Sequence, residues 1–193
     1  VFVGRLRRYK GVEWVMRALP EVIRRVPGTR LLVIGDGPFE PRLRRAAERL
    51  GVTDAVEFLG FLPRAEKVRC LQQAWVVVQP SPKEGWGLTV VEAGACGTAV
   101  VAADRPGLRD SVRRDETGLL VPYGDDARLA GALVRVLEDR GVRPELVAGH
   151  SVGEYAALVA AGVPDERAAV TLTRMRGRLM ESSCPEGTGG MAA

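Results

Sequence analysis

The sequence predicts an α/β fold, a doubly wound parallel sheet with helices on both faces. Three observations carry that expectation. Strand-like and helix-like segments alternate along the 193 residues. Trp75–Gln79 is a nearly continuous apolar run, the pattern of a parallel strand buried on both faces. Glycine-containing turns follow the strand-like segments, and in such a fold the C-terminal strand ends form the ligand crevice.

The elements follow in order. VFVG (1–4) reads as the first strand. EWVMRALPEVIRRV (13–26) places apolar residues at helical spacing. Leu31–Ile34 reads as a second strand, ending in the turn Gly35-Asp36-Gly37-Pro38. Arg42–Leu50 is an arginine-rich helix closed by Gly51. Val56–Leu59 is a strand, Glu66–Gln73 a short helix, and Trp75–Gln79 the buried strand. Leu88–Cys96 is a helix, Ala99–Ala102 and Leu119–Val121 are strands, and Ala127–Asp139 is a helix. Leu146–Ala148 is the last strand, with helices near Glu154–Ala161 and Glu166–Glu181. Right-handed crossovers are expected between the parallel strands.

Composition narrows the function classes. A hydrophobic fraction of 46% and a charged fraction of 27% describe a globular chain. No apolar run approaches the ~20 residues needed to span a bilayer, and VFVGRLRRYKG lacks the pattern of a signal peptide. Cys70, Cys96 and Cys184 are isolated from one another, and the chain has 1 His, so no zinc-type cluster is expected. Scattered thiols suit a reducing compartment, and a cytoplasmic location is expected. The net charge of +4 is carried almost wholly by arginine. With 5% aromatic residues and no basic-aromatic motif, nucleic-acid binding is not expected.

The densest signal is PSPKEGWGLTVVEAGACGTAVVA (80–102). It follows a buried strand, turns through glycines and opens a helix. Free N–H groups and the helix dipole suit that place to an anion. Gly85 and Gly87 allow a phosphate to approach backbone. Glu84 and Glu92, with seven residues between them, can both face the crevice, and Glu92 can accept hydrogen bonds from sugar hydroxyls. A second glycine turn, Gly4-Arg5, ends the first strand, and Lys10-Gly11 follows. Arg5 and Lys10 can neutralise a diphosphate. The case rests on several such turns coinciding.

VGRLRRYKG (3–11), LLVIGDGP (31–38), VEFLGFLP (56–63), the Glu-x7-Glu segment at 80–102 and TGLLVPYGD (117–125) together resemble the C-terminal, donor-binding domain of GT-B glycosyltransferases, in the large retaining group called family 4 or group 1. The resemblance covers roughly residues 1–138, in the family's order and spacing. It implies a Rossmann-like GT-B C-terminal lobe that takes a nucleotide-diphosphate sugar as donor. Arg5 and Lys10, after the Gly4 turn, would hold the diphosphate and stabilise the departing nucleotide. Gly87 and Leu88 would offer backbone N–H groups to it, with Gly85 in the same loop. Glu92 would bind the ribose hydroxyls, Glu84 the donor sugar, and backbone near Phe61 and Leu62 the base. Arg5, Lys10 and Glu84 are the catalytic candidates, and no metal or other cofactor is implied. The family's N-terminal lobe, which carries the acceptor site, has no counterpart here, so transfer by this segment alone is not expected. The family's glycine-rich segment after the strand at 99–102 is reduced to DRPGLRD (104–110).

Residues 141–193 resemble a different family, the malonyl-CoA:acyl-carrier-protein transacylases and related acyltransferase domains. GHSVGEY (149–155) matches their nucleophile elbow and RMRGRLM (174–180) their carboxylate-binding segment. The resemblance makes Ser151 the acyl-accepting nucleophile and Arg176 the clamp on a malonyl carboxylate. A serine nucleophile needs a base, yet the chain's one histidine, His150, adjoins Ser151. The family's base and oxyanion segments have no counterpart here. The helix ALVRVLEDRG (132–141) fits both families, which places the junction within about 127–141. Two domains are expected: 1–138, binding the donor, and 139–193, a partial acyltransferase segment. The leading function is nucleotide-sugar binding without transfer. The alternatives are an acyl-CoA acyltransferase fragment acting through Ser151, with malonyl-CoA as ligand, or a non-functional chimera of two partial genes.

Overall fold

Two sets of three parallel strands organise the computed structural model, which describes residues 1–138. In the first set, β1 (Phe2–Val3), β2 (Leu31–Ile34) and β3 (Val56–Gly60) lie in that order. In the second, β4 (Val77–Gln79), β5 (Val100–Ala103) and β6 (Gly118–Val121) do the same. Hydrogen bonds join the sets. Val78 N–H donates to Val1 O at 2.9 Å, and the Val1 nitrogen donates to Val76 O at 2.7 Å. That alternation around one residue is the parallel ladder pattern, so β1 and β4 run side by side. The spatial order is therefore β3-β2-β1-β4-β5-β6. Strand order reverses between β1 and β4, and the crevice beyond their C-terminal ends is the place where such folds take ligands.

The helices fall into two groups. α1 (Val12–Arg25) packs against α2 (Glu40–Arg49) and α6 (Asp126–Glu138), while α4 (Leu88–Ala95) packs against α3 (Arg64–Gln73) and α5 (Leu108–Ser111). α1 buries Trp14, Val15, Ala18, Leu19 and Val22. α6 buries Leu129, Ala130, Leu133, Val134 and Leu137 at the same spacing. Positions i, i+1, i+4, i+5 and i+8 make one continuous stripe on a 3.6-residue helix, so each helix covers the sheet with one face. The sheet supplies the other wall: Phe2, Val33, Val77, Val101 and Ala102 are wholly enclosed. Burying a large aliphatic side chain of this kind contributes about 1.5–3 kcal/mol. No helix among the described residues is long and apolar enough to cross a membrane.

Sequence and structure differ at the start of β4 and in the shortest elements. The apolar run suggests a strand from Trp75, but β4 starts at Val77, the first residue with a rung to β5, at Val100. Trp75, ahead of that rung, stays 57% exposed. The 3-10 turns Arg8–Lys10 and Thr53–Ala55 and the one-turn helix α5 carry too few residues for a hydrophobic period to register. The strand expected at 146–148 and the helices expected near 154–161 and 166–181 lie outside the described residues, as do Ser151 and Arg176.

Candidate functional site

The loops after β1 and β4 flank the switch point and carry most of the residues singled out by sequence. β1 leads through Gly4 to Arg5, whose side chain is exposed, and on to Lys10. β4 leads into the loop 80–87. There Ser81 is buried, and its hydroxyl donates to Lys83 O at 3.1 Å, which fixes the loop's first turn. Lys10 Nζ then donates to Glu84 Oε1 at 2.5 Å across the crevice, with the two side chains only 14% and 15% exposed. A charge-assisted bond held this far from solvent is worth more than a surface pair.

The loop ends at Gly87, which caps α4 in the left-handed region at φ 66° with no side-chain acceptor on the helix end. A side chain there would be strained, and its Cβ would sit 2.8 Å from Ser111 Oγ. With no side-chain cap, the first N–H groups of α4, those of Leu88 and Thr89, have no acceptor within the helix. That is a ready anion cradle. Glu92 sits four residues beyond Leu88, about 6 Å along the axis at 1.5 Å per residue. A bare carboxylate about 7 Å from a phosphate would repel it by roughly 2 kcal/mol at an effective dielectric near 20. Glu92 is not bare: Lys67 Nζ, on α3, donates to Glu92 Oε1 at 2.6 Å. Phe61 follows β3 with 78% exposure, Leu62 is partly buried, and Leu88 projects outward.

Sequence reasoning missed two parts of this arrangement. Lys67 gave no signal, because it lies 25 residues from Glu92 and only the packing of α3 on α4 brings them together. The segment 104–110, which looked reduced, forms the wall behind the loop. Gly107 N–H donates to Asp110 Oδ2 at 3.0 Å and starts α5. A Cβ on Gly107, at φ 83°, would run into Glu84 O and lie 2.8 Å from Gly85 O. Beside it, Arg109 donates to Asp104 at 2.6 Å and Arg114 at 3.2 Å. The hydrogen bond from Arg109 holds the Asp104 carboxyl below the usual carboxylate range, with the charge of Arg114 adding to it.

A recess of about 920 Å3 opens beyond the β1 loop, lined by Arg7, Arg8, Tyr9, Trp14, Arg17 and Tyr123 among others. Trp14 and Tyr123 stack at 4.4 Å, and Arg17 is paired with Asp126 at 2.8 Å. The residues lining the recess do not include Arg5, Glu84 or Glu92.

Comparison with known proteins agrees with this geometry. Residues 1–151 match the family described as glycosyl transferases group 1, and residues 128–193 match the acyl transferase domain. The two matches overlap over 128–151, a span that takes in most of α6. A D-inositol 3-phosphate glycosyltransferase of Acidothermus cellulolyticus is 46% identical over 158 residues, covering 77% of this chain and 35% of that protein. Sucrose-phosphate synthase of Thermosynechococcus elongatus has a TM-score of 0.70 at 30% identity, covering 94% of this chain and 45% of its own. Anabaena HepE in complex with UDP has a TM-score of 0.68 at 25% identity, covering 94% and 48%. The chain spans about a third of the length of the curated relatives it matches. A GT-B-like parallel sheet, a Glu-x7-Glu segment at its switch point and a family match over 1–151 together make the chain a member of the group 1 glycosyl transferases.

Proposed function

We propose that residues 1–138 form the donor half of a glycosyltransferase and bind a nucleotide-diphosphate sugar at the β1/β4 switch point. The observation that carries this reading is the Lys10–Glu84 pair, which bridges the loops after β1 and β4 just ahead of the uncapped N-terminus of α4, with Arg5 exposed in the same β1 loop. The UDP bound to HepE supports a nucleotide ligand. In the proposed reaction an acceptor hydroxyl oxygen bonds to the anomeric carbon as the bond from that carbon to the diphosphate oxygen breaks; the electron pair of the broken bond stays on the departing phosphate, which takes up the hydroxyl's proton. Arg5, Lys10 and the N–H groups of Leu88 and Thr89 stabilise that growing charge. Glu84, already held by Lys10, receives hydroxyls of the donor sugar, and Glu92 those of the ribose. Phe61 and Leu62 border the base. Transfer needs a second lobe that presents the acceptor across the crevice, which residues 1–138 do not contain.

Calorimetry with UDP, GDP, ADP and their sugars tests the reading. At least one binds, and Arg5→Ala and Lys10→Met each weaken it about ten- to hundredfold, since each removes a charge-assisted contact worth about 1.5–3 kcal/mol. A folded sample that binds none at millimolar concentration overturns the donor site. Unchanged affinity in both variants overturns the assigned roles.

The acyltransferase match over 128–193 favours a second reading, in which Ser151 accepts an acyl group and Arg176 holds a malonyl carboxylate. Acyl transfer needs a nucleophile, a base and oxyanion donors around one atom. His150 is the only histidine, and it precedes the serine in the elbow. The expected outcome is an unmodified intact mass after incubation with malonyl-CoA. A malonyl adduct that disappears in Ser151→Ala would reverse this.

A further inference from the structure

We infer that Lys67 is a positioning residue for the ribose end of the nucleotide, acting through Glu92; the inference rests on the donor-site reading above. Lys67 Nζ occupies Glu92 Oε1 at 2.6 Å and leaves the other carboxylate oxygen to accept hydroxyls. The lysine side chain is 24% exposed and the glutamate 43%, so the lysine is the more sheltered partner and the carboxylate stays open to solvent. The pair does two things at once. It fixes the rotamer of a flexible glutamate, so the hydroxyl-accepting oxygen is in place before ligand arrives. It also compensates the one carboxylate that stands along α4 behind the phosphate cradle. Glu84 is compensated in the same way by Lys10. Each carboxylate of the Glu-x7-Glu segment thus has a lysine of its own, and both lysines come from the first half of the chain.

A tether that only held α3 to α4 would produce the same distance. Thr98 Oγ, donating to Leu71 O at 2.6 Å, already ties α3 to the strand side of α4. The two roles separate in binding. Calorimetry compares UDP, GDP and ADP with their 2′,3′-dideoxy forms on the whole chain carrying Lys67→Met, Lys67→Arg, Glu92→Gln or Lys67→Met with Glu92→Gln. Urea unfolding checks each variant, and Lys67→Gln replaces Lys67→Met if the latter does not fold. The expected result is a loss of about three- to tenfold for the best-binding ribonucleotide in Lys67→Met, as for one partly exposed charge-assisted pair. Lys67→Arg recovers most of it. The dideoxy form loses less than about twofold, and Lys67→Met adds nothing once Glu92 is Gln. An equal loss for both sugar forms, a full further loss in the Glu92→Gln background, or no loss at all overturns the inference. If the unaltered chain binds no nucleotide, the donor site itself falls. If it binds and discriminates ribose while Lys67→Met is silent, only the role of Lys67 falls.

Discussion

The two halves of the sheet share a plan but carry opposite charges in the proposed donor site. Each has three parallel strands in simple order. The first half supplies cations, Arg5 and Lys10 after β1 and Lys67 on α3. The second supplies carboxylates and a helix end, Glu84 in the loop after β4 and Gly87 and Glu92 at α4. Both lysine–glutamate pairs of the site cross from one half to the other, over 74 and 25 residues of sequence. Neither half therefore holds a complete site. Packing of β1 beside β4 brings Lys10 to Glu84 and packing of α3 on α4 brings Lys67 to Glu92, so folding preorganises the charges.

The largest expected effect comes from breaking the second half's internal brace. Gly107 lies against the carbonyls of Glu84 and Gly85. Gly107→Val puts a β-branched residue at φ 83° and drives its Cβ into Glu84 O. A cost of about 2–4 kcal/mol in urea unfolding is expected, from positive-φ strain together with overpacking. Gly85 is the control in the same loop. It has no positive φ, and a Cβ there would meet nothing within 4 Å. Gly85→Ala should change stability by less than about 0.5 kcal/mol, while its added methyl narrows the backbone approach offered to a phosphate and weakens nucleotide binding. A Gly107→Val chain as stable as the parent would mean that α5 does not support the loop.

The same comparison explains what was legible in the sequence. The second half's contribution is contiguous: strand, glycine turn, helix start and both glutamates fall within residues 77–102, and a reader of the chain meets them together. Lys10, the partner of Glu84, was legible because it follows a glycine turn after a strand, and the same turn singles out Arg5. Lys67 was not, since nothing in a short helix of weak apolar pattern distinguishes one lysine from a solvated one until α4 is packed beside it. Gly107 was undervalued for a related reason. Its role is set by carbonyls twenty-odd positions upstream, and its one-turn helix is too short to show a period. The strand order escaped the sequence altogether, because the hydrogen bonds between Val1 and Val76–Val78 join segments that no local pattern relates.

The smallest expected effect concerns an ion cluster that stays inside the second half. Asp104 accepts from Arg109 and Arg114, but the arginines are 59% and 57% exposed and the carboxylate 29%. Pairs this open contribute about 0.2–1 kcal/mol, less than the sheltered Lys10–Glu84 pair. The hydrogen bond from Arg109 lowers the folded-state pKa of Asp104. A lowered carboxylate pKa stabilises the fold above the unfolded value, near 3.9, and that contribution disappears as pH falls through the folded value. Asp104→Asn should therefore be less stable than the parent by under about 1 kcal/mol at pH 7, and the two should converge as the pH drops below about 4. Raising the salt at pH 7 should narrow the gap as well, because exposed charges are screened over about 10 Å at 0.1 M. A gap that persists undiminished from neutral pH to well below the carboxylate range would show that the introduced amide disturbs the turn itself. The cost would then belong to packing behind the 80–87 loop, and the contrast between sheltered pairs at the crevice and open pairs beside it would lose its electrostatic basis.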